Sequence, residues 1–248
     1  AADLVVTHGN GPQVGRLAAD AAASGHPEPF DVLDAESQGQ IGYLLELELA
    51  NQIGPRPVVT VLTQVAVDPD DRAFRAPTKP VGPVLTEADA RSLTVSRGWT
   101  TLRGSGGWRR VVPSPEPAAI LALPAITALV ASGHVVIAGG GGGIPVAVDG
   151  DGHRRGVDAV IDKDLTSSLL AVALDAAHLI LLTDVAGVHA DWGTDRARLL
   201  GSTTVAELRA KRFEPGTMGP KVEAACRFVE ATGRPASIGA LDDAADVA

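Results

Sequence analysis

Short runs of Val, Ile, Leu and Ala recur along the chain, each followed by a polar or glycine-rich stretch. Residues 4–7, 57–63, 134–138, 178–183 and 235–240 have the length and branched apolar content of buried strands, and residues 144–148 read as a shorter one. Longer Ala- and Leu-rich segments alternate with them. Residues 13–23, 34–52, 118–132, 165–174, 203–212 and 221–231 read as helices. Pro12 sits at or near the first turn of the first helix. Asp34 is a candidate N-cap for the second, after a Pro/Gly loop over residues 24–33. That second helix carries Ile41, Leu44, Leu45, Leu47 and Leu49 around most of its circumference, so it is expected between other elements or in a dimer interface. Gly133 is a suitable residue to end the third helix, and residues 149–152 read as a hairpin turn. Strands alternating with helices in this order predict an α/β fold with a mostly parallel sheet covered by helices.

One stretch breaks the alternation. Residues 68–117 are rich in Pro, Gly and charge and hold Arg72, Arg75, Lys79, Arg91, Arg97, Arg103, Arg109 and Arg110. In an acidic protein, such a concentration suggests a lid over an anionic ligand; a solvated surface insertion is the alternative. The segment from Gly107 to Pro115, with Trp108 beside paired arginines, is the part singled out.

Composition narrows the function classes. The 248 residues suffice for a large core, built from aliphatic side chains because aromatics are only 3%. A net charge of −9 argues against broad nucleic-acid or anionic-membrane binding. The single cysteine, Cys226, excludes an intramolecular disulfide framework and fits a reducing cytosol. No apolar run reaches the length of a membrane span, and the first residues carry no signal-peptide pattern.

Two glycine loops carry the candidate chemistry. Gly139, Gly140, Gly141, Gly142 and Gly143 follow a strand, where backbone N–H groups often cradle phosphate; a linker is the alternative, but linkers sit between polar segments. Gly9, Asn10 and Gly11 form a second strand–loop–helix unit, which an ordinary turn would also explain. Lys163 and Lys221 each open a helix, where a cation opposes the helix dipole unless an anion binds there. Together these features favour phosphate binding. There is no Walker-A motif and no dinucleotide fingerprint.

The segments Thr7-His8-Gly9-Asn10-Gly11-Pro12-Gln13-Val14-Gly15, Pro77-Thr78-Lys79-Pro80-Val81-Gly82-Pro83, Gly107 to Pro115, Gly139 to Pro145, Asp158 to Asp164 and Met218-Gly219-Pro220-Lys221 together resemble the carbamate kinases of the amino-acid kinase superfamily. The resemblance runs in order from residue 4 to about residue 239. It implies a single domain over residues 1–248, a three-layer α/β/α sandwich with residues 68–117 as an inserted lid. It also implies reversible phosphoryl transfer between ATP and carbamate, giving ADP and carbamoyl phosphate, in a cytoplasmic homodimer without nucleic-acid or membrane partners. By resemblance, Gly9, Asn10 and Gly11 would bind carbamate and the transferred phosphoryl group, and Lys163 and Lys221 would lie along the phosphates. Asp164 would orient Lys163, Thr183, Asp184, Met218 and Gly219 would flank the nucleotide, and Gly139–Gly142 would line its phosphates. Arg110 stands where many members have Lys, and Mg2+ is expected on the nucleotide phosphates rather than on protein ligands. Family members carry a further strand ending in Gly-Gly-Asn-Ala ahead of the point where this chain opens, and a last segment beyond its end. Beside the expected carbamate kinase, the short ends leave a fragment, an incomplete gene model or a degenerate nucleotide-binding paralogue without catalysis as alternatives. Another small-acid kinase is the remaining alternative, and the lid motifs argue against it.

Overall fold

The computed structural model describes residues 2–104, 106–213 and 218–244. The chain forms two compact units, Ala1–Thr166 and Ser167–Ala248. The first begins with β1 (Val5–Val6), α1 (Gly11–Ala23), α2 (Phe30–Gln52), β2 (Val58–Thr60) and β3 (Gln64–Val67). It continues through β4 (Lys79–Leu85), α3 (Glu87–Arg97), β5 (Thr101–Gly104), β6 (Gly107–Val112), β7 (Pro117–Ile120) and α4 (Leu123–Ala131). Then come β8 (Val135–Ile137), β9 (Ile144–Val148), β10 (Arg154–Gly156) and the start of α5 (Lys163–Ala173). The second unit carries the rest of α5, then β11 (Leu179–Thr183), β12 (His189–Ala190), β13 (Arg198–Leu199), α6 (Val205–Arg209), α7 (Met218–Thr232) and β14 (Ala236–Ala240).

In the first unit β1, β8 and β2 form a parallel sheet in that order. β8 is buried along its whole length, as its unbroken Val-Val-Ile requires. A second sheet, β10-β9-β3-β7, joins the parallel pair β3/β9 to an antiparallel strand on each side. The excursion between β3 and β7 builds its own antiparallel sheet, β4-β6-β5, with α3 against it. Its base is not solvated. Val81 and Val112 join Val14, Ala18, Phe30, Leu33 and Val160 in one buried cluster. Close approach makes this possible: a Cβ on Gly15 of α1 would lie 2.5 Å from the Gly82 nitrogen of β4.

Among the differences from the sequence expectation, those at α2, β7 and the excursion after β3 have clear physical reasons. α2 starts at Phe30 rather than Asp34, because Phe30 and Leu33 are core residues and the Phe30 amide donates to Asp158 Oδ1 at 2.9 Å. That distant carboxylate replaces a local cap, so Asp34 lies one turn inside the helix. Residues 117–120 are strand, not helix, because Ala66 and Ala119 pair across β3 and β7. Residues 79–85, 87–97, 101–104 and 107–112 are regular structure, and α3 carries readable signals: Thr86 Oγ1 accepts from the Asp89 amide at 3.1 Å, and Gly98 ends the helix in the left-handed region.

In the second unit β11 and β14 pair in parallel from Leu179↔Ala236 to Thr183↔Ala240. Val188, Leu208, Val222 and Cys226 form its buried cluster. Arg209 of α6 bonds Glu223 and Glu230 of α7, tying the two helices together.

Candidate active site

Parallel strands in register release their following loops at one edge, the usual place for a ligand in α/β folds. Val6 pairs with Ile137, and Ile137 with Thr60, so the loops after β1, β2 and β8 leave the sheet together. The glycine run after β8 is wholly buried. A Cβ on Gly141 would sit 2.2 Å from Asn10 Nδ2, and one on Gly142 would sit 2.4 Å from the Ile161 carbonyl oxygen. The Gly139 amide donates to Thr63 Oγ1 at 2.9 Å, Gly141 to the His8 carbonyl at 2.7 Å, Gly142 to the Gly139 carbonyl and Gly143 to the Gly140 carbonyl. The run expected as an open phosphate cradle thus uses these amides within the protein. Its place in the site is to seat the loop His8-Gly9-Asn10-Gly11.

That loop opens α1 in an unusual way. Asn10 occupies the N-cap position, yet its side chain does not cap the helix. Its Nδ2 donates instead to Asp34 Oδ1 at 2.8 Å and Ser37 Oγ at 2.9 Å, both on α2. Asn10 is buried, so its side chain serves as a pin between α1, α2 and the glycine run. The N-terminus of α1 keeps its positive dipole end, with no acidic residue in its first turn to offset it.

Lys163 lies beside that end. A Cβ on Gly9 would meet its Cδ at 3.3 Å and its Nζ at 3.6 Å. Lys163 opens α5, whose cap is Asp162: Oδ1 accepts from the Asp164 amide at 3.0 Å and the Leu165 amide at 3.4 Å. Asp162 Oδ2 accepts from Lys79 Nζ at 2.6 Å, which joins β4 to the start of α5. Burial pushes the Asp162 carboxyl up, but Lys79 and the two amides outweigh it and leave it below the ordinary range. Asp164 is buried in the same turn. Thr166 Oγ1 donates to the Gly142 carbonyl at 2.7 Å, so the first turn of α5 is held against the glycine run. His8 has its pKa lowered, chiefly by burial and also by the Lys163 charge, against a backbone bond to Gly9. The result is a loop edge that carries a lysine and a helix N-terminus with no acidic residue in its first turn, suited to a small anion.

Arg110 lies on β6 in the first unit. Its guanidinium carbon lies 4.9 Å from the Phe30 ring centroid and 4.4 Å from that of Trp99. Burial pushes its pKa down, with Asp158 opposing. Its neighbours here are aromatic faces, and the stacking fastens β6 to the start of α2.

The second unit holds the remaining predicted residues. Thr183 ends β11, and its hydroxyl donates to Asp184 Oδ1 at 3.1 Å. Met218 and Gly219 open α7, and Lys221 is buried in its first turn. Residues 215–217, part of the sequence that leads into this helix, lie outside the described residues.

Sequence reasoning missed Asp34 as a site residue, along with Ser37, Gln38, Thr63 and His8. Gln38 is buried, donating to the Gly140 carbonyl and accepting from the Thr63 amide, both at 2.9 Å. A signal existed: Asp34, Ser37 and Gln38 are spaced three and four apart, a polar stripe on an apolar helix. Burial keeps the Asp34 carboxyl well above its ordinary pKa; Asn10 pulls it down and Asp31 raises it further.

Residues 2–240 match the amino acid kinase family. The carbamate kinase of Rhizobium meliloti (strain 1021) is 49% identical over 245 residues, which cover 97% of this chain and 76% of that protein. The carbamate kinase of Escherichia coli (strain K12) is 47% identical, over 96% of this chain and 80% of that one. Among solved structures, carbamate kinase from Giardia lamblia bound to AMP-PNP aligns with a TM-score of 0.85 at 39% identity, covering 99% of this chain and 82% of that one. The same enzyme bound to citric acid gives 0.89 at 40% identity, covering 98% and 81%. With a seated glycine run, a pinned Asn10 and a lysine over Gly9 in a chain this similar to them, the protein belongs to the amino acid kinase family, among the carbamate kinases.

Proposed function

We propose that the protein transfers a phosphoryl group reversibly between ATP and carbamate, and that the first unit holds the acceptor. The observation that carries this is the Lys163 ammonium against Gly9, beside the side-chain-uncapped N-terminus of α1. Carbamate already presents an anionic oxygen, so attack on the γ-phosphoryl group needs no general base. What the protein must supply is alignment and neutralisation of charge on the transferring group. The dipole end of α1 and Lys163 supply it, held before the reaction begins, so little reorganisation opposes transfer. Asp162 and Asp164 set the turn from which Lys163 extends. In the second unit, Thr183, Asp184, Met218, Gly219 and Lys221 are assigned to the nucleotide. Lys221 stands where a cation is unfavourable unless an anion is bound.

Magnesium enters with the nucleotide as part of the substrate. Among the described residues, the only three carboxylate or imidazole groups close enough to share an ion are Asp149, Asp151 and His153, all exposed at the β9–β10 turn. Residues 68–117 are proposed to act as a lid on the single kinase domain. β3 and β7 pair at its two ends, so the excursion leaves and returns at adjacent strands. A cytoplasmic location is supported by the lone, buried Cys226; no described helix is long and apolar enough to cross a membrane.

Acceptor choice tests the function. With ATP and Mg2+, carbamate is expected to be preferred over acetate, aspartate, glutamate and N-acetylglutamate by at least about a hundredfold in kcat/KM, the discrimination open to a site built on specific polar contacts. Equal use of any of these carboxylates would overturn it.

A homodimer is proposed through α2. Tyr43, Leu44 and Leu47 are 63%, 52% and 44% exposed in the single chain, although the sequence pattern expected the helix covered nearly all round. A second copy would cover this face. Replacing both Tyr43→Asp and Leu47→Asp is expected to halve the mass seen by light scattering. An unchanged mass would place the interface elsewhere.

A further inference from the structure

We infer that Asp34 and Ser37 are positioning residues that fix the carboxamide of Asn10 with its Oδ1 towards the acceptor, so that the site recognises an N–H on an otherwise anionic substrate. This rests on the acceptor site proposed above. Ser37 settles which end of the carboxamide faces α2. Its hydroxyl donates to the Asp34 carbonyl at 3.0 Å, which spends its one hydrogen, so towards Asn10 it can only accept. Asn10 Nδ2 donates to Asp34 Oδ1 at 2.8 Å and to Ser37 Oγ at 2.9 Å. A carboxamide turned the other way would set its oxygen against two acceptors. One face of the group is also covered: a Cβ on Gly141 would lie 2.2, 2.4 and 2.6 Å from its Nδ2, Cγ and Oδ1.

What remains is the Oδ1 edge. Asn10 is 2% exposed, yet among the described residues none donates to its Oδ1, and that atom is not among those sealed from solvent without a partner. Asn10 directly follows Gly9, against which Lys163 lies, and precedes α1, whose first turn holds no acid. A bare acceptor in such surroundings is wrong for a ligand that is anionic throughout, because it repels phosphate and carboxylate oxygens. It suits a ligand that brings a donor beside its negative charge. Carbamate and carbamoyl phosphate carry an NH2 group; acetate and acetyl phosphate carry a methyl in its place, which would leave Oδ1 without a partner once water is excluded. Asp34 is kept for this arrangement. The bond to Asn10 is the one its carboxyl makes among the described residues, and its second oxygen is buried without a partner. An apolar residue at that place would avoid the cost.

The test reads preference as well as rate. Kinetics with ADP compare carbamoyl phosphate with acetyl phosphate in native protein, in Asp34→Asn and in the double variant Asp34→Ala/Ser37→Ala. Native protein is expected to favour carbamoyl phosphate by at least about a hundredfold in kcat/KM. The double variant leaves the carboxamide without its two acceptors. It is expected to lose about tenfold or more in kcat/KM with carbamoyl phosphate, and no more than about threefold with acetyl phosphate. Damage to the fold alone would lower both alike. Asp34→Asn keeps an acceptor for Nδ2 and is expected to keep the native preference. Binding is measured in parallel by calorimetry with phosphonoacetamide and 2-oxopropylphosphonate, a pair that differs in NH2 against CH3. Native protein is expected to bind the amide at least about fivefold more tightly, and this arm stands if the double variant does not fold. Equal losses with the two phosphates in the folded double variant, a lost preference in Asp34→Asn, or equal or absent binding of the two phosphonates by native protein would each overturn the inference. The phosphonates need no turnover, so a chain without phosphotransfer would defeat the proposed function while their affinities still decide this point.

Discussion

Lys163→Ala is expected to lower ADP-dependent turnover of carbamoyl phosphate by a factor on the order of 10² or more, while leaving the fold intact. Lys163 opens α5, where a cation opposes the helix dipole by roughly 0.3–1 kcal/mol unless an anion binds there. Its ammonium lies 3.6 Å from a Cβ position on Gly9, beside the α1 N-terminus. A cation held at two helix starts is the arrangement expected of a group that meets charge on a ligand. Circular dichroism of the variant checks that the fold is kept. A tenfold or smaller loss of turnover would contradict the role given to Lys163.

Gly142→Ala is expected to be the most damaging single methyl in the glycine run, costing on the order of 3 kcal/mol or more of stability. Gly142 has φ +107°, outside the region an alanine adopts without strain. Space is also lacking: the new Cβ would lie 2.4 Å from the Ile161 oxygen and 2.8 Å from its carbonyl carbon. These are backbone atoms next to Asp162, the cap of α5, so relief would have to shift the turn that presents Lys163. The Gly142 carbonyl is itself held by Thr166 Oγ1 at 2.7 Å. Gly150→Ala, with nothing within 4 Å of the added carbon, is the control and should change stability by no more than about 0.5 kcal/mol. Urea unfolding midpoints decide between them. A Gly142→Ala midpoint equal to that of the control would show that the run is not packed as described.

Local signals carried the parts of the fold they could reach. β1, β8 and β11 follow from short branched apolar runs, and the loops that leave β1 and β8 announce themselves by glycine. Lys163 stood out because a lysine at a helix start has a known electrostatic penalty. The glycine run was legible as a place of close approach, but what approaches was not: Asn10 and Ile161 bring residues from far along the chain. The same distance hid the Asp34 network, whose bond to Asn10 spans 24 residues. Asp34 was misread as a cap because nothing local distinguishes a capping aspartate from one buried a turn later. Strand β7 was taken for helix because Pro-Ala-Ala-Ile has no strong preference of its own. It becomes a strand only through β3, which the sequence pattern did not reveal. Arg110 reads as a substrate-facing cation; that its guanidinium lies over Phe30 of α2 and Trp99 after α3 was not legible, because no local signal pairs it with those rings.

ATP formation from carbamoyl phosphate, ADP and Mg2+ by the purified 248-residue chain is the most direct test of the activity. One ATP is expected for each carbamoyl phosphate consumed, with the yield falling away in Lys163→Ala. No ATP above the spontaneous decay of carbamoyl phosphate, from folded protein that still binds ADP, would contradict it.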